Sequence, residues 1–213
     1  MTGVDSLPLQ TGNSGKYLTT DGSDASWANV SVSGVQEFVG SYSFGGSSSL
    51  TITDAAFEDR DYEIIVKFND VGTNTSNGDY LVFRFVNPSG TQISSSLYSY
   101  IARRRTGGST VGGDSGQNTN VLWITNTDAL RSTFSMAGEY KCGYTDSNYD
   151  SKEHYYIQGE MVATTYYGEA EEYTISGYLK DLGSVTTDIG GIKLYSYSGN
   201  AITGLVSVYK QKR

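Results

Sequence analysis

From Val35 onward, apolar and polar residues alternate in short runs, the period-two pattern of strands half-buried in a sheet. YEIIVKFN (62–69) places Tyr62, Ile64, Val66 and Phe68 on one face. YLVFRFVN (80–87) sets Leu81, Phe83 and Phe85 on the core side and turns Arg84 outward. VQEFVGSY (35–42) opposes Val35, Glu37 and Val39 to Phe38, and SSLTIT (48–53) follows a Gly-Gly turn. Further strands are predicted at 92–103, 119–125, 131–136, 154–163, 170–179, 189–197 and 201–210. Between the runs stand turn formers: Asn77-Gly78, Pro88-Ser89-Gly90, Gly190-Gly191 and Ser198-Gly199-Asn200. A helical turn fits only within TDAAFEDRD (53–61). TGGSTVGGDSGQNTN (106–120) lacks apolar content and is predicted to be the longest exposed loop.

Many short strands joined by turn chemistry predict an all-β sandwich or barrel over residues 35–213. Residues 1–34 differ. Their apolar residues are sparse (Leu7, Leu9, Tyr17, Leu18 and Trp27, with Pro8 between the first two), and Gly12, Gly15 and Gly22 break any periodicity. Such a segment cannot bury enough apolar area to offset the ordering of its own chain. It is predicted to be an extended N-terminal arm, either disordered or ordered by packing on a partner, and Trp27, costly to leave exposed, favours the partner.

Composition sharpens this picture. The 213 residues include 18 Tyr against 7 Phe and 2 Trp, with 26 Gly and only 2 Pro, a balance that suits strands and turns better than helices. A net charge of -8 argues against a nucleic-acid backbone binder, which needs a basic footprint. The single cysteine, Cys142, cannot form an intrachain disulfide, which fits folding in a reducing cytoplasm. Met1 to Gln10 carries no basic, apolar leader pattern, and no run approaches the roughly 20 apolar residues of a membrane helix. Neither a secretory signal nor membrane insertion is expected.

Candidate chemistry is incomplete wherever it begins. Gly113-Asp114-Ser115-Gly116 resembles the nucleophile motif of trypsin-like serine proteases, but that arrangement needs its general-base His earlier in the chain, and the lone His154 comes later. One His and one Cys cannot make a familiar zinc site. Asp146, Asn148 and Asp150 start a calcium-loop spacing, which fails at Ser151 and Ile157. Gly12-Asn13-Ser14-Gly15-Lys16 is too short for a phosphate loop. Glu169, Glu171 and Glu172, beside Tyr166, Tyr167 and Tyr173, fit a charged strand edge better than a glycosidase pair. Arg103-Arg104-Arg105 suits a local anionic partner or an intersubunit carboxylate. No catalytic residue, metal site or cofactor is expected. Tyr144, Tyr149, Tyr155 and Tyr156 cluster in CGYTDSNYDSKEHYY, where aromatic rings among Asp, Asn and Lys can stack on sugars and bind hydroxyls. They are the candidate contacts for a glycan or receptor.

Three segments carry a family resemblance. LPLQTGNSGKYLTTDGSDASWANV (7–30) resembles a segment that recurs in tail-fibre and other virion proteins of bacteriophages, especially those of marine bacteria and cyanobacteria. AFEDRDYEIIVKFNDVGTNTSNGDYLVFRFVNPSGTQISSSLYSYIARR (56–104) resembles the opening of a β-sandwich domain in such proteins. IGGIKLYSYSGNAITGLVSVYKQKR (189–213) resembles its closing hairpin, with Lys210 where a Gly is usual. The middle, about 106–188, matches loosely. The resemblance implies a jelly-roll-like sandwich, a homotrimer, other virion proteins as partners and a virion location. The expected role is a tail fibre or receptor-binding appendage held by its arm. The alternatives are a head-decoration or cement protein and, in a different class, a glycan-degrading tailspike.

Overall fold

The computed structural model describes residues 11–14, 16–20, 24–29, 34–74, 79–93, 98–106, 109–119, 121–125, 135–146, 153–164, 170–179 and 188–213. The chain divides into two units, residues 1–35 and 36–213. In the first, β1 (Lys16–Thr20) and β2 (Ala25–Asn29) form an antiparallel hairpin with Leu18 opposite Trp27. The apolar pattern predicts no strand there. The ladder joins backbone groups, which pair whatever the side chains, so a hairpin forms without alternation.

The second unit is an all-β sandwich. Its strands are β3 (Gln36–Ser43), β4 (Ser49–Thr53), β5 (Tyr62–Thr73), β6 (Leu81–Val86), β7 (Tyr98–Thr106), β8 (Ser109–Thr119), β9 (Leu122–Trp123), β10 (Met136–Asp146), β11 (Glu153–Thr164), β12 (Ala170–Leu179), β13 (Gly191–Ser196) and β14 (Ile202–Lys212). Among the described residues they form an eight-stranded sheet, β3-β14-β5-β10-β11-β12-β7-β8, and a four-stranded sheet, β4-β13-β6-β9, with every pairing antiparallel. The chain changes sheet repeatedly, and only β7–β8 and β10–β11–β12 run on as hairpins within one sheet. A 3-10 turn, Ala55–Phe57, sits where the helical turn is predicted, with Asp54 Oδ1 accepting the Ala56 amide at 2.8 Å.

The core lies between the sheets. Leu81, Phe83 and Phe85 enter it from β6, and Ile64, Val66 and Phe68 from β5, as the alternation predicts. Tyrosine shares the core with the aliphatic residues: Tyr98, Tyr140, Tyr155 and Tyr173 are wholly buried. The Phe85 ring packs edge-on against Phe83 at 4.9 Å and Tyr155 at 4.7 Å, and Tyr155 packs edge-on against Tyr144 at 4.8 Å. Such pairs contribute about 1 kcal/mol each beyond the area they bury. The Tyr98 hydroxyl accepts the Phe85 amide at 2.9 Å and donates to the Ile93 carbonyl at 2.8 Å, which joins the two sheets through one buried polar group.

Two expectations are corrected. Most of the segment predicted as the longest loop is strand: Ser109–Thr119 is β8, paired along β7 from Tyr98 to Thr106. A glycine-rich segment is read as a loop because it has nothing to bury, but an edge strand needs only the backbone ladder of its neighbour. Residues 136–146, left unassigned by the pattern beyond the start at Met136, form β10 between β5 and β11. Its inward positions, Met136, Tyr140, Cys142 and Tyr144, do alternate, but Gly138 interrupts them. A Cβ at Gly138 would strike the backbone of Glu160 and Met161, so glycine is required where these strands close on each other.

The closing segment that carries the family resemblance is a folding device. Asp79, wholly buried, lies beside the β13–β14 turn. It accepts hydrogen bonds from the Ser196 hydroxyl, from Asn200 Nδ2 at 2.9 Å, and from the amides of Tyr80 at 2.7 Å and Ser198 at 3.1 Å. Gly199 turns with φ of 80°, Ile202 enters the core, and Gly204 takes φ of 110° at a bulge between Thr203 and Leu205.

Candidate functional site

On the face of the large sheet turned away from the core, cross-strand register sets side chains in rows. Glu63 on β5, Gly143 on β10, Tyr156 on β11 and Tyr178 on β12 fall in or beside one row, because Gly143 pairs with Tyr156 and Tyr156 with Tyr178. Gly143 has no side chain to fill its place. The Arg213 guanidinium takes that place, and an open groove of about 340 Å³ lies beside it, lined by Glu63, Tyr144, Thr145, Tyr156, Gln211, Lys212 and Arg213.

Polar groups are fixed around it. The Tyr156 hydroxyl donates to Glu63 Oε1 at 2.5 Å, and Lys141 Nζ lies 3.4 Å from Glu63 Oε2. Burial, then the hydrogen bond and negative charge of Glu63, push the Tyr156 phenol well up, so it stays a proton donor. The Arg213 guanidinium lies over the Tyr156 ring, 5.5 Å from its centroid, and the Arg213 amide donates to the Asp61 carbonyl at 3.0 Å. In the neighbouring column the His154 ring meets Tyr178 edge-on at 5.6 Å.

The four candidate contact tyrosines do not act together. Tyr156 is half-buried at the groove, and Tyr144 lines it while 6% exposed. Tyr155 is wholly buried in the core, so its ring is unavailable to a surface ligand. Strand alternation gives the physical reason: of two consecutive residues, one must face inward. Tyr149 lies outside the described residues, as do Leu7, Pro8 and Leu9 of the arm. Tyr17 and Leu18 are 49% and 42% exposed on β1, and Trp27 is half-buried on β2. Glu63, Gly143, Gln211 and Arg213 escape sequence reasoning, because only the register brings them to Tyr156.

Alternation also divides the arginine run. Arg104 Nη1 lies 3.7 Å from Glu171 Oε1, so one member finds its carboxylate in the same chain. Glu171 further accepts from Thr106 Oγ1 at 3.2 Å and from the Tyr173 hydroxyl. Glu172 sits at the next position of β12 and faces the opposite way, so these two carboxylates cannot flank one bond; Glu169 lies outside the described residues. Ser115 is on β8 and His154 on β11, with β7 and β12 between them, roughly 14 Å at the usual strand spacing, so this His cannot serve that Ser. Cys142 is buried, and desolvation pushes its thiol up to about 12. Among the described residues no three His, Cys, Asp or Glu side chains gather as for a metal, and no helix is long and apolar enough to cross a membrane.

No family model matches the chain, and no curated protein matches it. Solved structures overlap it weakly, two of them from one virus. One is the infectious bursal disease virus VP2 subviral particle, at 11% identity and a TM-score of 0.17. The other is infectious bursal disease virus Gt strain, at 13% identity and a TM-score of 0.13. Each alignment covers 92% of this chain and 46% of the other, so this chain spans less than half the length of either. At such TM-scores the overlaps carry no argument about fold or role.

Proposed function

We propose that this chain is a non-enzymatic virion structural protein, a trimeric tail-fibre or receptor-binding appendage whose arm attaches to the particle. Its sandwich, jelly-roll-like in kind, presents a binding face to the host. The arm carries the proposal. Among the described residues β1 and β2 pair only with each other, and Tyr17 and Leu18 stand 49% and 42% exposed. An isolated two-stranded hairpin is marginal in water, so apolar side chains kept on it favour a docking partner. Resemblance of the same segment to phage virion proteins supports a particle as that partner. Threefold symmetry would multiply weak contacts of the sandwich with a repetitive surface.

Competition tests this role. Purified protein is expected to block adsorption of its phage to host cells, as measured by free-phage titre after mixing. Unchanged adsorption, together with label on the head in particle images, would overturn the appendage assignment in favour of head decoration.

A further inference from the structure

Three observations converge on the groove at Gly143. Its floor is a missing side chain: the outward positions of β10 carry Glu139, Lys141 and Thr145, and between the last two stands glycine. A Cβ there would collide with Nη2 of Arg213, whose guanidinium occupies the space. The charges around the groove are unequal. Glu63 is compensated by Lys141 at 3.4 Å and by the Tyr156 hydroxyl at 2.5 Å. Among the described residues no ion pair or hydrogen bond joins the Arg213 guanidinium, which lies over the Tyr156 ring and against Gly143. Around this cation stand a second one, Lys212, and two groups that exchange hydrogen bonds without net charge, Gln211 and Thr145, beside an aromatic wall.

The guanidinium stands over the Tyr156 ring with Nη2 against Gly143, and a guanidinium edge matches a carboxylate through two parallel N–H···O bonds. Amide and hydroxyl groups around it match sugar hydroxyls, and a tyrosine face matches the C–H face of a pyranose. We infer that the groove binds a carboxylate-bearing saccharide, with the carboxylate on Arg213 and the sugar hydroxyls on Gln211 and Thr145. This rests on the host-facing role proposed above, and it fixes the class of surface polymer that the sandwich recognises. A neutral sugar would leave the guanidinium unpaired in the complex. A net charge of -8 gives no long-range attraction for acidic polymers, so their binding must come from local cations such as this one.

The test is calorimetric titration of the full chain with oligosaccharides of glucuronate, galacturonate, mannuronate and guluronate, each beside its methyl ester. At least one acid is expected to bind, with its ester more than tenfold weaker. Arg213→Gln is expected to lose tenfold or more, and Arg213→Lys less, because lysine keeps the charge without the fork. Gly143→Val fills the floor and is expected to abolish binding; Arg213→Gln lies at the surface and remains informative should that variant not fold. Equal binding of acid and ester, wild-type affinity in Arg213→Gln, a sulfated polymer bound in preference, or no acid bound at all would overturn the inference. A chain that attaches to particles yet binds no uronate overturns the groove alone. A chain that binds uronate yet is absent from particles overturns the virion role alone.

Discussion

Asp79 shows how much one side chain can decide in this protein. Burial by itself would raise its carboxyl, but the hydrogen bonds from Ser196, Asn200, Tyr80 and Ser198 outweigh burial and hold it below its ordinary value. Asp79→Ala removes the acceptor and leaves Ser196 and Asn200 facing a void. The expected cost is about 3 kcal/mol, read from the urea midpoint. The sign of the pH dependence follows. A carboxyl lowered on folding contributes its full stabilisation above its unfolded value of about 4 and loses it as pH falls through the folded value. The stability gap between wild type and Asp79→Asn is therefore expected to narrow steadily below about pH 4; a gap constant down to pH 2.5 would show that the hydrogen bonds do not depend on charge.

At the scale of elements, β14 is the strand on which the large sheet turns. It pairs with β3 on one side and β5 on the other, and each pairing shifts register once. Gly204 stands at the shift facing β5, with φ of 110°, and a Cβ there would press on the backbone of Asp70 and Val71. Asp70 itself takes φ of 55° across the pair, so both strands bend at this point. Gly204→Ala meets both strain and collision. It is expected to lower stability by roughly 2–3 kcal/mol, measured by thermal or urea unfolding. Gly12→Ala, at a positive φ with open space around its missing Cβ, is the control and should cost less. β12 obeys the same geometry without strain: Glu171 turns to Arg104 while Glu172 faces the other side, so an acidic run in sequence is not an acidic cluster in space.

The chain divides into two compact units. Deleting residues 1–30 is expected to leave the sandwich folded, with an unchanged unfolding midpoint, and to abolish incorporation into particles on complementation. Loss of the folded state instead would place the arm within the core. Much of the sandwich was legible beforehand. Ile64, Val66 and Phe68 on β5 and Leu81, Phe83 and Phe85 on β6 alternate strongly enough to fix strand and face together. The stretch TDAAFEDRD held the described helical turn, and Ser198-Gly199-Asn200 marked the turn before the last strand. Other features were hidden. β8 offers glycine, serine and threonine, and becomes a strand only because β7 supplies a ladder. Tyr155 and Tyr156 look equivalent in the chain, yet one is core and the other lines the groove, a parity that the pairing with β10 and β12 decides. The groove draws Glu63, Gly143, Tyr156 and Arg213 from distant stretches. Strand periodicity is a local property of the polypeptide, and so the sequence alone determined the all-β class, the main core strands and the turns. Which face is covered, and which residues become neighbours across strands, depends on register between segments far apart, and only the tertiary structure decided that.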